Sequence, residues 1–143
     1  MRILILILLL LSVTPSYSND IECLAQNIYF EARGEPYKGQ VAVALVTLNR
    51  VNSDKFPDSV CEVIFQDCQF SWTCDKKSNK FPRNSEAGKA AIKVATLALS
   101  GNLSDFTNGA LYFSTPNHRN KFSGETLAIG NHVFYRGSAI HNP

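Results

Sequence analysis

The chain has 143 residues, of which 45% are hydrophobic and 18% are charged, a composition that fits one globular domain. Fourteen basic and twelve acidic residues leave a formal net charge of +2. This balance excludes an intrinsically disordered tail, and it is too mild to indicate nucleic-acid binding. We therefore expect a folded domain with no nucleic-acid partner.

The first eighteen residues predict a secretory signal peptide. Arg2 gives a positive start, an unbroken apolar run follows, and small residues precede Asn19 at positions −3 and −1 of a cleavage site. The alternative is an uncleaved membrane anchor, although a spanning helix needs about twenty apolar residues. We expect a leader at 1–18, a mature domain at 19–143, and a secreted or periplasmic protein with no membrane contact after cleavage.

Two helices are predicted at the start of the mature chain. The first begins at Asn19 or Asp20, where Glu22 completes a capping box, and its apolar stripe ends before Gly34. The second covers Tyr37–Val51 and is apolar on nearly every face. A helix of that kind is typically buried inside a core rather than lying on its surface.

Two further helices and a small β element complete the predicted fold. Capping residues predict a short helix over 59–66 and a long one over 86–100. Alternating apolar residues predict strands at 110–113 and 132–135, joined by a loop rich in Pro, Asn, Arg and Gly. The predicted fold class is α+β and mostly helical, with one domain and a small late β element.

Four cysteines in an exported chain favour two disulfides. Their spacings match no zinc pattern, although three pairings are compatible with four cysteines. Cys68 and Cys74 are close in sequence and flank a polar loop, so we predict that they pair and leave Cys23 with Cys61. The three histidines are scattered, and we expect no metal and no cofactor.

Glu31 is the strongest candidate for a catalytic residue. It follows Leu24 by seven residues and shares a helix face with Leu24 and Ile28, so its carboxyl group is directed toward the apolar side. Burial and the nearby helix C-terminus both raise the pKa of a carboxyl group. An acid still protonated near neutral pH can donate to a glycosidic oxygen. The alternative is a structural glutamate paired with Arg33 or Lys38.

Glu35 is a second carboxylate four residues further along. It precedes Pro36, which favours an extended or turn conformation. We expect Glu35 to cap the second helix or to pair with Arg33. A glycosidase that uses two carboxylates would instead need it in the site.

The segment Gln-Phe-Ser-Trp at 69–72 lies between two cysteines and carries side chains that suit sugar binding. Aromatic faces stack on sugar rings, and amides form hydrogen bonds with sugar hydroxyls. The alternative is a small core beneath a loop. We name Gln69, Tyr112 and His132 as candidates for contacts with a substrate in a cleft.

Several segments carry a resemblance to a known family. They are Ile-Tyr-Phe-Glu-Ala-Arg-Gly-Glu-Pro-Tyr-Lys-Gly-Gln-Val-Ala at 28–42, Leu-Asn-Arg-Val at 48–51, Phe-Pro at 56–57, Val-Cys-Glu-Val-Ile at 60–64, Gln-Phe-Ser-Trp at 69–72, Gly-Ala-Leu-Tyr-Phe at 109–113 and Ile-Gly-Asn-His-Val-Phe at 129–134. In this order they resemble the catalytic domain of spore cortex-lytic enzymes and the wider bacterial and phage cell wall hydrolase family.

The resemblance implies a lysozyme-like fold that acts on peptidoglycan glycan strands. The family's characterised spore enzymes are lytic transglycosylases, which cut between N-acetylmuramic acid and N-acetylglucosamine and leave a 1,6-anhydro end. Their single catalytic glutamate is the first in Glu-Ala-Arg-Gly-Glu, which falls on Glu31. We expect a monomer of this type. A hydrolytic lysozyme with the same acid, and a disulfide-stapled binding module without turnover, are the alternatives.

The leader predicts that exported protein begins at or near Asn19, because a signal peptidase cuts after the small residues that precede it. N-terminal sequencing of the exported protein checks this. Recovery of intact Met1 in a membrane fraction would indicate an anchor instead.

Overall fold

The computed structural model describes residues 15–117 and 123–137, so most of the predicted leader lies outside the described residues. The elements in chain order are α1 (Pro15–Ala32), α2 (Tyr37–Val51), α3 (Val60–Phe65), a 3₁₀ turn (Ser71–Thr73), α4 (Glu86–Leu99), β1 (Tyr112–Ser114), β2 (Ser123–Ile129) and β3 (His132–Gly137). This architecture confirms the predicted α+β, mostly helical fold class.

Helix α2 lies between two apolar clusters, which explains why its sequence is apolar on nearly every face. One side packs with buried residues of α1, α3 and α4, and the other packs with Ala110, Ile129 and Phe134 near and within the sheet. Residues 41–47 are all buried as a result. The observed bounds of α2 are those that the sequence predicts.

Helix α1 begins at Pro15, so the predicted start at Asn19 or Asp20 is wrong. Nothing between Pro15 and Asn19 then interrupts the helix, and Glu22 lies inside it rather than in a capping box. The Glu22 carboxylate instead forms an ion pair with Arg83, which precedes α4.

The other predicted caps are observed. The Ser59 hydroxyl accepts a hydrogen bond from the Glu62 N–H at 3.4 Å and caps α3, which ends at Phe65. The Ser85 hydroxyl accepts from the Gly88 N–H at 3.0 Å and caps α4. None of the helices in the described part of the chain has the length and apolar character needed to cross a membrane.

The sheet has three antiparallel strands in the order β1-β3-β2, one more than predicted. The sequence analysis assigned the whole connection between the two predicted strands to a loop, and β2 lies within it. Strand β2 pairs along β3, with Leu127 opposite Phe134 and Ile129 opposite His132. Its amino-terminal half is polar, so its pairing with β3 rather than its own composition identifies it as a strand.

Both predicted disulfides are present in the structure. Cys23–Cys61 joins α1 to α3, with 5.4 Å between the two Cα atoms. Cys68–Cys74 closes the short loop that contains the 3₁₀ turn, with 5.5 Å between its Cα atoms. The first bridge therefore connects two packed helices, and the second stiffens a loop.

The loop lengths predict unequal contributions of the two bridges to stability. By the chain-entropy estimate, replacing Cys23 and Cys61 by alanine should lower the free energy of unfolding by about 4 kcal/mol, against about 2 kcal/mol for Cys68 and Cys74. Denaturant unfolding of the two double variants measures this difference. Equal losses would mean that the loop-length argument does not hold in this domain, and a Cys23–Cys68 peptide in a non-reducing map would contradict the pairing itself.

Candidate active site

Glu31 lies in the last turn of α1 and is half-buried, whereas Leu24 and Ile28 on the same helix face are fully buried. Burial raises the pKa of the Glu31 carboxyl above its usual value, and the positive charge of Arg50 lowers it by a smaller amount. The direction of the shift is the one that the helix-face argument predicts. The site thus contains a carboxyl group that holds its proton more tightly than a solvated glutamate does.

Arg33 and Lys38, which the sequence offers as ion-pair partners of a structural glutamate at position 31, contact aromatic rings instead. The guanidinium carbon of Arg33 lies 4.9 Å from the centre of the Tyr29 ring. The Lys38 ammonium lies 5.2 Å from the centre of the Phe106 ring. Both cations have aromatic contacts, and the charged group that acts on Glu31 is Arg50.

Arg50, near the end of α2, is a buried cation with only 4% of its surface exposed. Its Nε donates a hydrogen bond to the Leu111 carbonyl at 2.7 Å. Three aromatic rings surround the guanidinium, at 4.9 Å for Phe56, 5.1 Å for Phe70 and 5.6 Å for Tyr112. Its Nη1 is buried and has no hydrogen-bond partner among the residues that the structure describes.

Asn49, the neighbour of Arg50, fixes the segment that leads into β1. Its side-chain amide donates to the Asp105 carboxylate at 3.0 Å and to the Ala110 carbonyl at 3.1 Å. Burial alone would raise the pKa of Asp105, but hydrogen bonds from Thr107, Asn49 and Gly109 hold it below its usual value. Asn49 and Arg50 together attach the end of α2 to the approach to the sheet.

Tyr112 is a candidate contact residue whose ring contacts Arg50. Its ring packs against the Arg50 guanidinium and stacks on Tyr135 at 5.7 Å between ring centres. Because Arg50 acts on Glu31, the structure brings Tyr112 into the same region as the candidate acid.

His132 and Gln69 occupy different environments. His132 is 9% exposed, and its ring centre lies 5.0 Å from that of Phe113. Burial lowers the pKa of His132, and the charge of Glu35 opposes this shift. Gln69 is exposed on the disulfide-closed loop, where its backbone N–H donates to the Gln66 carbonyl. Contact of either residue with a substrate stays a prediction.

Glu35 neither caps α2 nor pairs with Arg33, so both of these expectations are wrong. Its carboxylate accepts hydrogen bonds from the backbone N–H of Asn131 at 2.8 Å and from the Asn131 side-chain amide at 3.1 Å. Gly130, with φ of +57°, allows this approach, since any Cβ there would collide with the carboxylate. Glu35 therefore anchors the turn between β2 and β3.

The aromatic residues of the 69–72 segment form a small core. Phe70 and Trp72 are buried, and the Trp72 ring stacks on Phe30 at 4.7 Å. The indole N–H of Trp72 donates to Asn27 Oδ1 at 2.9 Å. The sequence analysis left open sugar binding or a small core beneath a loop for this segment. The structure supports the small core for both rings.

Arg50 and Asn49 are the site residues that sequence reasoning did not single out. The sequence signal for these two residues is a pair of polar side chains at the end of an otherwise apolar helix. Such residues usually face solvent, and their partners lie about sixty residues further along the chain.

Comparisons with known proteins agree with this architecture. Residues 34–135 match the family described as Cell Wall Hydrolase. The spore cortex-lytic enzyme of Halalkalibacterium halodurans is 42% identical over 130 residues, covering 86% of this chain and 37% of that protein. The spore cortex-lytic enzyme of Bacillus subtilis is 40% identical over 121 residues, covering 82% and 37%.

A solved structure gives the same result. The catalytic domain of the germination-specific lytic transglycosylase SleB from Bacillus anthracis aligns with a TM-score of 0.66 and 37% identity, covering 82% of this chain and 93% of that domain. This chain belongs to the cell wall hydrolase family. It spans 37% of the length of each of the two curated relatives named above. The family match begins at Gly34, so the role of Glu31 depends on its geometry and on the Glu-Ala-Arg-Gly-Glu resemblance.

The Arg50 charge predicts a specific change in the pH profile. Because Arg50 attracts the Glu31 carboxylate, Arg50→Met should raise the pKa of Glu31 further and move the alkaline limb of kcat/KM to higher pH. Arg50→Lys keeps the charge and should leave that limb near its wild-type position. The lost bond to Leu111 should also cost Arg50→Met about 1–3 kcal/mol of stability.

The measurement is glycan cleavage against pH, with thermal unfolding of each variant alongside. A limb that stays in place in Arg50→Met, or moves equally in both variants, would contradict electrostatic coupling to Glu31.

Proposed function

We propose that this protein cleaves peptidoglycan glycan strands as a lytic transglycosylase, with Glu31 as its catalytic acid and base. The observation that carries the proposal is the half-buried Glu31 carboxyl, whose pKa is raised by burial beside the fixed charge of Arg50. Membership in the cell wall hydrolase family supports peptidoglycan as the substrate and an extracytoplasmic location. The similarity to the SleB catalytic domain supports the transglycosylase reaction.

One carboxyl group can carry both halves of this reaction. Protonated Glu31 donates its proton to the glycosidic oxygen as the bond from C1 of N-acetylmuramic acid breaks, and N-acetylglucosamine leaves as the alcohol. The Glu31 carboxylate then accepts the proton of the C6 hydroxyl while that oxygen bonds to C1. The product carries a 1,6-anhydro ring, Glu31 regains its proton, and no water is consumed.

The position of Glu35 supports a mechanism with one carboxylate. A hydrolase of the two-carboxylate type needs a second acid held across the scissile bond. Glu35 is the nearest carboxylate in sequence, and both of its oxygens accept hydrogen bonds from Asn131. An attack by the substrate's own C6 hydroxyl removes the need for a second acid.

Contacts to the glycan are proposed for three residues. Tyr112 has the strongest support because its ring borders Arg50. Gln69 offers an exposed amide on the disulfide-closed loop, and the His132 imidazole packs against the Phe113 ring. We propose that the leader directs the protein outside the cytoplasm and that the mature domain acts as a monomer.

Glu31→Gln should lower the rate of glycan cleavage by about 10²–10⁴-fold, because general acid catalysis supplies a factor of that size. The variant should remain folded. Because burial raises the pKa of Glu31, its ionised form destabilises the folded protein as pH rises above the pKa of the unfolded chain. The amide of the variant removes this penalty. Because only the protonated acid can donate, wild-type activity should decline as pH rises through the pKa of Glu31. Turnover of purified peptidoglycan and thermal unfolding at neutral pH measure both effects.

Glu35→Gln is the matched control, since its amide oxygen still accepts the Asn131 N–H. It should retain most activity and lose about 1 kcal/mol of stability. Mass analysis of the wild-type digest distinguishes the chemistries, because an anhydro end is 18 Da lighter than a hydrolysed end. A folded Glu31→Gln protein with wild-type turnover would contradict the proposal. Hydrolysed ends in the wild-type digest would indicate a lysozyme instead of a transglycosylase.

A further inference from the structure

A groove of about 340 Å³ lies between the end of α1 and the disulfide-closed loop. Its apolar part comprises Tyr29, Phe30 and Trp72, and its polar part carries the cations of Arg33, Lys77 and Lys80. Tyr29, Phe30 and Arg33 flank Glu31 in sequence, so the groove borders the end of α1 that carries the candidate acid, although the Arg33 side chain lies on another face of the helix.

The positive charge of this groove is not neutralised from within. In the stretches 15–117 and 123–137, none of the three cations forms an ion pair. The single acid in the lining, Asp75, is used by its own loop, since its Oδ1 accepts from the Asn79 amide at 2.7 Å and from the Lys77 N–H at 3.3 Å. The lining therefore holds three positive charges against one negative charge.

The shape of the groove is held by contacts beneath its surface. Trp72 is fixed by its stacking on Phe30 and by its hydrogen bond to Asn27. The Asn79 amide donates to the Trp72 carbonyl, and Cys68–Cys74 closes the loop behind it. A concave surface with fixed walls and uncompensated cations is suited to an anionic ligand.

We propose that this groove binds the carboxylates of the peptide stems that branch from the glycan strand cleaved at Glu31. This inference rests on the proposed function. The stems are attached to N-acetylmuramic acid, the sugar whose C1 bond is cut, so a strand bound at Glu31 carries anionic groups close to the reacting atoms. The cations of the groove and the carboxylates of the stems attract one another and favour one orientation of the strand.

The test compares Lys77→Ala/Lys80→Ala with wild type on two substrates. One is intact peptidoglycan from which attached phosphate polymers have been removed. The other is the same material after an amidase has removed the peptide stems. On intact material the double variant should show a KM about tenfold higher with kcat unchanged, since two exposed charge contacts each contribute a few-fold. On stripped strands the variant and wild type should have the same KM, and raising the salt concentration should abolish their difference on intact material.

Lys89→Ala/Lys93→Ala is the matched control, because it removes the same charge from exposed positions on α4. It should behave as wild type on both substrates. An unchanged KM of the groove variant on intact peptidoglycan, or an equal loss on stripped strands, would overturn the inference.

Two further arms separate the remaining outcomes. If wild type cleaves neither substrate, the proposed function fails, while sedimentation with intact and stripped strands still reports whether the groove recognises stems. If the variant is defective only on walls that retain phosphate polymers, the groove binds phosphate and the stem proposal is wrong.

Discussion

The buried guanidinium of Arg50 is the interaction on which both the fold and the site depend. A buried charge is costly unless it is paired or hydrogen-bonded. Here the Leu111 carbonyl and three aromatic rings surround it, and these groups come from different parts of the chain. The end of α2, the loop before α3, the disulfide-closed loop and the approach to β1 must therefore meet at one point. The same charge acts on Glu31, so assembling the fold also sets the electrostatics of the acid.

The two glutamates of the Glu-Ala-Arg-Gly-Glu motif show how position decides the role of a side chain. Glu31 is still in α1, where the face that it shares with Leu24 and Ile28 directs its carboxyl away from water. Glu35 lies beyond the helix end, where its carboxylate can accept two hydrogen bonds from Asn131. One acid thereby has a raised pKa, and the other joins the start of α2 to the turn between β2 and β3.

Features with local causes were predictable from sequence, and features with distant partners were not. Helix α2 and the caps at Ser59 and Ser85 follow from composition and spacing within a few residues, and they were predicted correctly. The orientation of Glu31 follows from the period of a single helix. Strand β2 and the burial of Arg50 instead need a partner strand or a carbonyl 61 residues away. The Asn131 hydrogen bonds to Glu35 span 96 residues, a separation that no local pattern encodes.

The burial of two aromatic rings determines which positions of the disulfide-closed loop are exposed. The sequence offers Phe70 and Trp72 as sugar-stacking residues, yet both are buried, one against Arg50 and the other against Phe30. Their burial makes the base of the loop rigid and leaves its exposed positions to polar and charged side chains. Changes at those exposed positions would alter the surface charge of the loop without disturbing the Arg50 cluster. The candidate acid therefore lies in the packed helices, whereas the surface charge can vary in a loop attached to them.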